Sequence, residues 1–197
     1  MTAERVPLFP LRTVLFPEGP LPLRIFEARY VDMVSRCMRA GSEFGVVLLV
    51  EGNETGTART VVVGTLARIV DFSQGSDGLL GITATGTDRF ELLHTTQQDD
   101  GLNLGDIERW QPEATVALPQ RFAPMTDILR SILPDLGKLY EGLPVRFDDA
   151  TWVGCRLAEI LPLPPELKQR CLEIREPVER LEFLQPMLRA VRRERTQ

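Results

Sequence analysis

The chain has 197 residues, 43% of them apolar and 26% charged, with a formal net charge of −5. That balance excludes a disordered chain, and the length is enough to bury a real core in one large domain or two small ones. No apolar run is long enough to span a bilayer, and Met1 to Arg5 lacks a basic region followed by an apolar stretch, so a cytoplasmic protein is expected.

Prolines at 7, 10, 17, 20 and 22 punctuate the leader and forbid a long helix there. Short apolar pieces lie between them, each long enough only for a strand at a sheet edge. Leu21, Leu23 and Ile25 alternate with Pro22 and Arg24, which predicts a short strand with one buried face. After Glu27 the apolar period lengthens to between three and four. Tyr30, Met33, Val34, Cys37 and Met38 then share one helical face, and Gly41 supplies the stop.

Phe44 to Val50 reads as a strand covered on both sides, and Glu51 to Thr60 as a surface hairpin loop. Val61 to Phe72 returns as a strand in which Gly64 suits a bulge or a close backbone approach. Ser73 to Gly78 is a loop. Leu79 to Ala84 and Arg89 to His94 are predicted to pair as a hairpin around Gly86-Thr87-Asp88. Leu104 to Trp110 follows as a last strand.

Near Pro112 to Pro119 the pattern becomes helical. Phe122, Met125, Leu129, Ile132, Leu133 and Leu136 form one apolar stripe, interrupted by Pro134. Asp148 or Asp149 is suited to cap a helix that buries Trp152, Val153, Leu157, Ile160 and Leu161. Pro164 and Pro165 fit the first turn of another helix, and Pro177 opens the last, whose end, Arg189 to Arg195, is basic. The boundary between a β-rich half, 1–116, and a helical half, 117–197, is placed near 116. Residues 1–116 carry ten arginines against sixteen acids, net −6, which argues against a surface that tracks phosphates.

Three blocks carry a resemblance: Pro7-Leu8-Phe9-Pro10-Leu11, Phe16-Pro17, and Pro22-Leu23-Arg24-Ile25-Phe26-Glu27 before Arg29-Tyr30. It continues in Phe44 to Leu48, Val63 to Ile69, Gly78 to Ile82, Arg89-Phe90, and Leu157 to Leu163 with Lys168-Gln169. In this order the blocks resemble the N-terminal substrate-binding domain of Lon proteases, although Ala28 stands where that family often has proline. The resemblance implies an α+β fold: a β-rich, PUA-like pseudo-barrel with one helix, followed by a C-terminal α-helical bundle. It also implies a non-catalytic module that recognises protein or peptide segments. Its partner would be an unfolded or extended polypeptide, with a protease or chaperone as the machine it serves. Oligomeric state is left open.

Neither part of Lon catalysis is found in these residues. Gly137-Lys138 is followed by Leu139 and lacks the upstream glycine of a phosphate-binding loop, and Ser131 is separated from Lys138 by Pro134. His94, the sole histidine, has no nucleophile elbow and no second ligand at zinc spacing. Cys37, Cys155 and Cys171 are far apart and read as buried free thiols. Asp99-Asp100 reads as a solvated loop and Asp148-Asp149 as a helix cap. No catalytic residue, cofactor or metal is expected.

The candidate binding residues are Arg24, Phe26, Glu27, Arg29, Tyr30 and Trp152. The first five flank the strand-to-helix junction. They read first as an ion-pair network and core aromatics, and second as one wall of a groove for extended peptide. Two alternatives stand beside peptide capture: a small molecule bound in the helical half or at the seam between halves, and RNA bound by a PUA-like barrel. The acidic N-terminal half disfavours RNA, and no membrane contact is expected.

Overall fold

The structure is a computed structural model, and it describes residues 4–51, 59–75 and 78–194. Contacts divide the chain into two compact units, Met1–Pro112 and Glu113–Gln197.

Among the described residues, the first unit holds seven strands and one helix: β1 (Glu4–Leu11), β2 (Pro20–Ile25), α1 (Ala28–Ala40), β3 (Phe44–Glu51), β4 (Arg59–Thr60), β5 (Val63–Gln74), β6 (Leu80–Gln97) and β7 (Asn103–Arg109). Strand order runs β1-β7-β6-β5-β3-β4, and a parallel pairing of β1 with β3 closes β1, β7, β6, β5 and β3 into a ring. A parallel pair needs a crossover, and the chain between β1 and β3 supplies one through α1. β2 hangs on β6 outside the ring. Its Pro20 and Pro22 are tolerated because β2 is paired on one side only among the described residues.

β3 is buried along its length from Phe44 to Leu49, as its continuous apolar run requires. One core, around Phe9, Tyr30, Met33, Phe44, Ile82 and Leu102, packs α1 against the sheet. A second, around Leu8, Val47, Leu66, Phe90 and Ile107, fills the ring. α1 ends as predicted: Gly41 adopts the left-handed conformation (φ 62°), and its N–H donates to the Cys37 carbonyl.

The predicted hairpin at Gly86-Thr87-Asp88 is not formed. Leu80 to Gln97 is one strand of 18 residues. Its first part lies between β2 and β5, and its second between β5 and β7. Gly86 is needed for a different reason. The leader's turn crosses here, with Glu18 N–H donating to the Gly86 carbonyl (2.8 Å) and Gly86 N–H donating to the Gly19 carbonyl (2.9 Å). A β-carbon at position 86 would strike the Phe16 carbonyl. Gly64 is likewise a close approach, since a β-carbon there would lie 2.5 Å from both the Phe90 ring and the Val46 carbonyl. The turn expected from Ser73 starts later, because β5 continues to Gln74. The tip of the loop expected at 51–60 lies outside the described residues.

The second unit is helical: α2 (Ala123–Ile132), α3 (Ala150–Ile160), α4 (Pro165–Glu173) and α5 (Pro177–Glu194), with 3₁₀ turns at Gln120–Phe122 and Leu133–Tyr140. Asp149 is the cap of α3, accepting from Thr151 N–H (2.9 Å) and also from Val116 N–H (3.2 Å). Pro165 opens α4, and the Pro134 interruption turns the α2 stripe into a 3₁₀ segment. Arg180 is fully buried and pins α5. It donates to the carbonyls of Cys171 (2.8 Å) and Ile174 (2.6 Å) and pairs with Glu113. The side chains of the basic end, Arg189 to Arg195, lie outside the described residues.

Candidate functional site

At the β2–α1 junction the chain leaves the sheet at Ile25, and Glu27 takes the N-cap position in extended conformation. Its side chain makes no cap hydrogen bond. The carboxylate is engaged by Arg29 instead, with Nε and Nη2 donating at 3.0 and 2.9 Å. Arg29 is buried, and its Nη1 donates to the Gly101 carbonyl (2.6 Å) while the guanidinium lies 4.6 Å from the centre of the Tyr30 ring. Tyr30 in turn stacks on Phe9, with centroids 4.0 Å apart. A guanidinium with a carboxylate, a carbonyl and a ring face around it holds the junction rigid.

Glu27, Arg29 and Tyr30 are therefore brought together, as a brace rather than a surface. Arg24 stands exposed on β2, opposite Gly81 of β6. Phe26 is 67% exposed. Trp152 belongs to the helical unit, where it is buried with its ring edge-on to Phe147. Sequence reasoning missed a further surface. Val70 and Phe72, at the far end of β5, are 59% and 61% exposed. Val70 falls at a register shift between Ile69 and Asp71, so the strand bulges there. A cavity of about 400 Å³ is lined by Arg24, Asp71, Phe72, Ser73 and Gly81, and another of about 300 Å³ by the end of α1 and residues 68–72. The only available signal was the unbroken apolar pair Ile69-Val70 followed by Phe72, where a half-buried strand would alternate.

The helical unit has its own cavity, about 300 Å³, lined by Leu133, Pro134, Tyr140, Val145, Phe147 and Arg130. The Tyr140 hydroxyl donates to the Glu159 carboxylate (2.6 Å), and Lys168 Nζ donates to the Glu159 carbonyl (2.6 Å). Burial raises the Tyr140 and Glu159 pKa values and lowers that of Lys168. These groups are locked to one another, and the arrangement offers no nucleophile beside a free base.

The residues screened for chemistry are likewise engaged or solvated. Ser131 Oγ donates to the Ile128 carbonyl (2.7 Å), His94 is exposed, and all three cysteines are buried thiols outside any disulfide. Asp100 accepts from Leu102 N–H (2.9 Å). Among the described residues no group of three or more His, Cys, Asp or Glu side chains is placed to hold a metal, and no helix is long and apolar enough to cross a membrane.

The model of the ATP-dependent protease La (Lon) substrate-binding domain matches residues 5–190. The chain belongs to the Lon substrate-binding domain family. It is 26% identical to the Lon protease of Vibrio parahaemolyticus over 192 residues, which is 91% of this chain and 24% of that protein. Against Lon protease 1 of Bdellovibrio bacteriovorus the identity is 25%, over 86% of this chain and 22% of the relative. The chain thus spans about a quarter of the length of the Lon proteases it matches. Among solved structures it is similar to a Lon N-terminal domain protein from Xanthomonas campestris. That likeness has a TM-score of 0.79 at 36% identity and covers 93% of this chain and 98% of that one. The N-terminal domain of a Mycobacterium avium complex Lon protease shares the fold, with a TM-score of 0.64 at 15% identity over 92% and 97% of the two chains. These 197 residues correspond to the substrate-binding portion, and they hold no counterpart of the ATPase or protease domains.

Proposed function

We propose that this Lon-family domain is a non-catalytic module that grips unfolded or extended polypeptide segments, as a substrate-binding part distinct from motor and blade. The observation that carries the reading is the exposure of three large apolar side chains, Phe26, Val70 and Phe72, on the β-rich unit of a family described by substrate binding. Arg24 adds an exposed cation beside Phe72 in one cavity, while Glu27, Arg29 and Tyr30 hold the junction that carries Phe26. Trp152 is a core residue and takes no part in this reading. Acidic character in the β-rich half favours neutral or basic segments over acidic ones and over RNA.

The test is a fluorescence-anisotropy titration of labelled, reduced and carboxymethylated α-lactalbumin, a permanently unfolded chain, with the purified protein. Saturable binding that weakens at least fivefold in the Phe26→Ala, Phe72→Ala double variant is expected. Failure to saturate, or equal binding by the variant, refutes the reading. A second reading, small-molecule binding, is favoured by the cavity around Tyr140 and Phe147 in the helical unit. A metabolite that raises the melting temperature of wild-type protein but not of a Val145→Arg variant is its expected mark.

A further inference from the structure

β5 is paired differently along its two halves. From Thr65 to Ala67 it is flanked by β3 and β6, but the β3 pairing stops at Phe44 opposite Ala67. From Arg68 to Gln74 the described residues pair with β6 alone, so one edge of this stretch is open. An open edge is a row of donors and acceptors that natural sheets cover with charge, proline or a bulge. Here Val70 bulges, and the Asp71 carboxylate accepts from Phe72 N–H at 2.8 Å. Arg68 adds a charge at the near end, paired with Glu43 (3.0 Å), but no proline or lysine stands in the stretch, and Val70 and Phe72 are exposed.

We propose that the edge of β5 from Arg68 to Gln74 is the docking site for one extended strand of a partner polypeptide, held by main-chain pairing. This rests on the polypeptide-binding reading and gives it a place and a mode. Main-chain groups supply affinity without regard to sequence, and Val70 and Phe72 supply exposed apolar contacts beside them. The cavity beside the edge is walled by the end of α1, at Cys37, Met38 and Gly41. A second copy's β5 brings the same net negative charge to the edge, which disfavours self-pairing. Charge narrows the partner further, because the β-rich half has a net charge of −6 over residues 1–116. The strand taken up carries apolar residues at alternate positions and neutral or basic residues between them.

The experiment uses a fluorescein-labelled nonapeptide, Thr-Val-Lys-Val-Thr-Val-Lys-Val-Thr, with the intact protein, read by anisotropy and by amide NMR. Two further peptides carry N-methyl groups on one or the other set of alternate amides, so their side chains are unchanged while one main-chain edge is blocked. One methylated set is expected to lose at least tenfold in affinity and the other less than threefold, since a docked strand uses one edge. Phe72→Ala is expected to weaken the parent peptide about fivefold, and amide shifts should concentrate in Arg68 to Gln74. Replacing both lysines with glutamate should weaken binding. Equal affinity of all three peptides overturns edge docking but leaves polypeptide binding standing. Shifts that avoid β5 overturn it in the same way. Self-association in sedimentation that Phe72→Arg abolishes overturns the chosen occupant. If neither the nonapeptide nor unfolded α-lactalbumin binds, the broader reading falls with it.

Discussion

The closed ring and the three-strand extension formed by β2, the first part of β6 and the far part of β5 are built from the same strands, yet they handle their edges in opposite ways. In the ring each strand has a neighbour on both sides, and the side chains between them are sealed: Phe90, Leu66 and Ile107 are fully buried. Arg109 of β7 adds ties to Glu4 (3.2 Å), Glu43 (3.1 Å) and Asp88 (2.9 Å) from three other parts of the unit. In the extension the outer half of β5 has one neighbour among the described residues, and Phe72 is exposed although its cross-strand partner Ile82 is buried. Closure stabilises, and the place where closure stops is the place available to a partner.

The contrast is broken most severely from inside the ring. Phe90→Ala removes a fully buried ring that also fills the space left by Gly64, and a loss of about 3–5 kcal/mol is expected in urea denaturation. Next comes Gly86→Ala, where the new β-carbon meets the Phe16 carbonyl. Overpacking against backbone is expected to cost about 2–3 kcal/mol. Thr65→Val keeps the shape but deletes the buried hydroxyl that donates to the Leu15 carbonyl (2.6 Å), for about 1–2 kcal/mol.

A pH measurement sharpens the comparison. Burial on the inner face of α1 raises the Cys37 thiol above its ordinary value of 9.0. The folded state holds the proton more tightly than the unfolded one, so this contribution is complete below about pH 9 and is lost as pH rises further. Iodoacetamide at pH 8 is therefore expected to modify Cys37 far more slowly in native protein than in urea, as read by mass spectrometry. The smallest stability effect belongs to the extension: Phe72→Ala is expected to change folding by no more than about 0.5 kcal/mol.

Much of this fold could be read locally. The prolines kept the leader out of a helix, although β1 became a ring strand paired with both β7 and β3 rather than an edge, and the change of period after Glu27 with Gly41 at the end marked α1. The continuity of β6 was hidden, since Gly86-Thr87-Asp88 has the composition of a turn. What demands glycine there is a carbonyl seventy residues earlier in the chain. The candidate site divides along the same line. Glu27 and Arg29 are two residues apart and their pairing was legible, whereas the Gly101 carbonyl that completes it was not. Phe72 was hidden because its exposure depends on where β3 begins.

Amide hydrogen exchange, with and without the unfolded α-lactalbumin chain, measures both halves of the comparison at once. In free protein, edge amides of Arg68 to Gln74 are expected to exchange at least a hundredfold faster than those of Val46 and Phe90. On adding the polypeptide, the slowing should be concentrated in that stretch, with β1 and β7 unchanged. Uniform exchange across β5, or protection that appears in the helical unit instead, would contradict an account in which an opened sheet edge does the gripping.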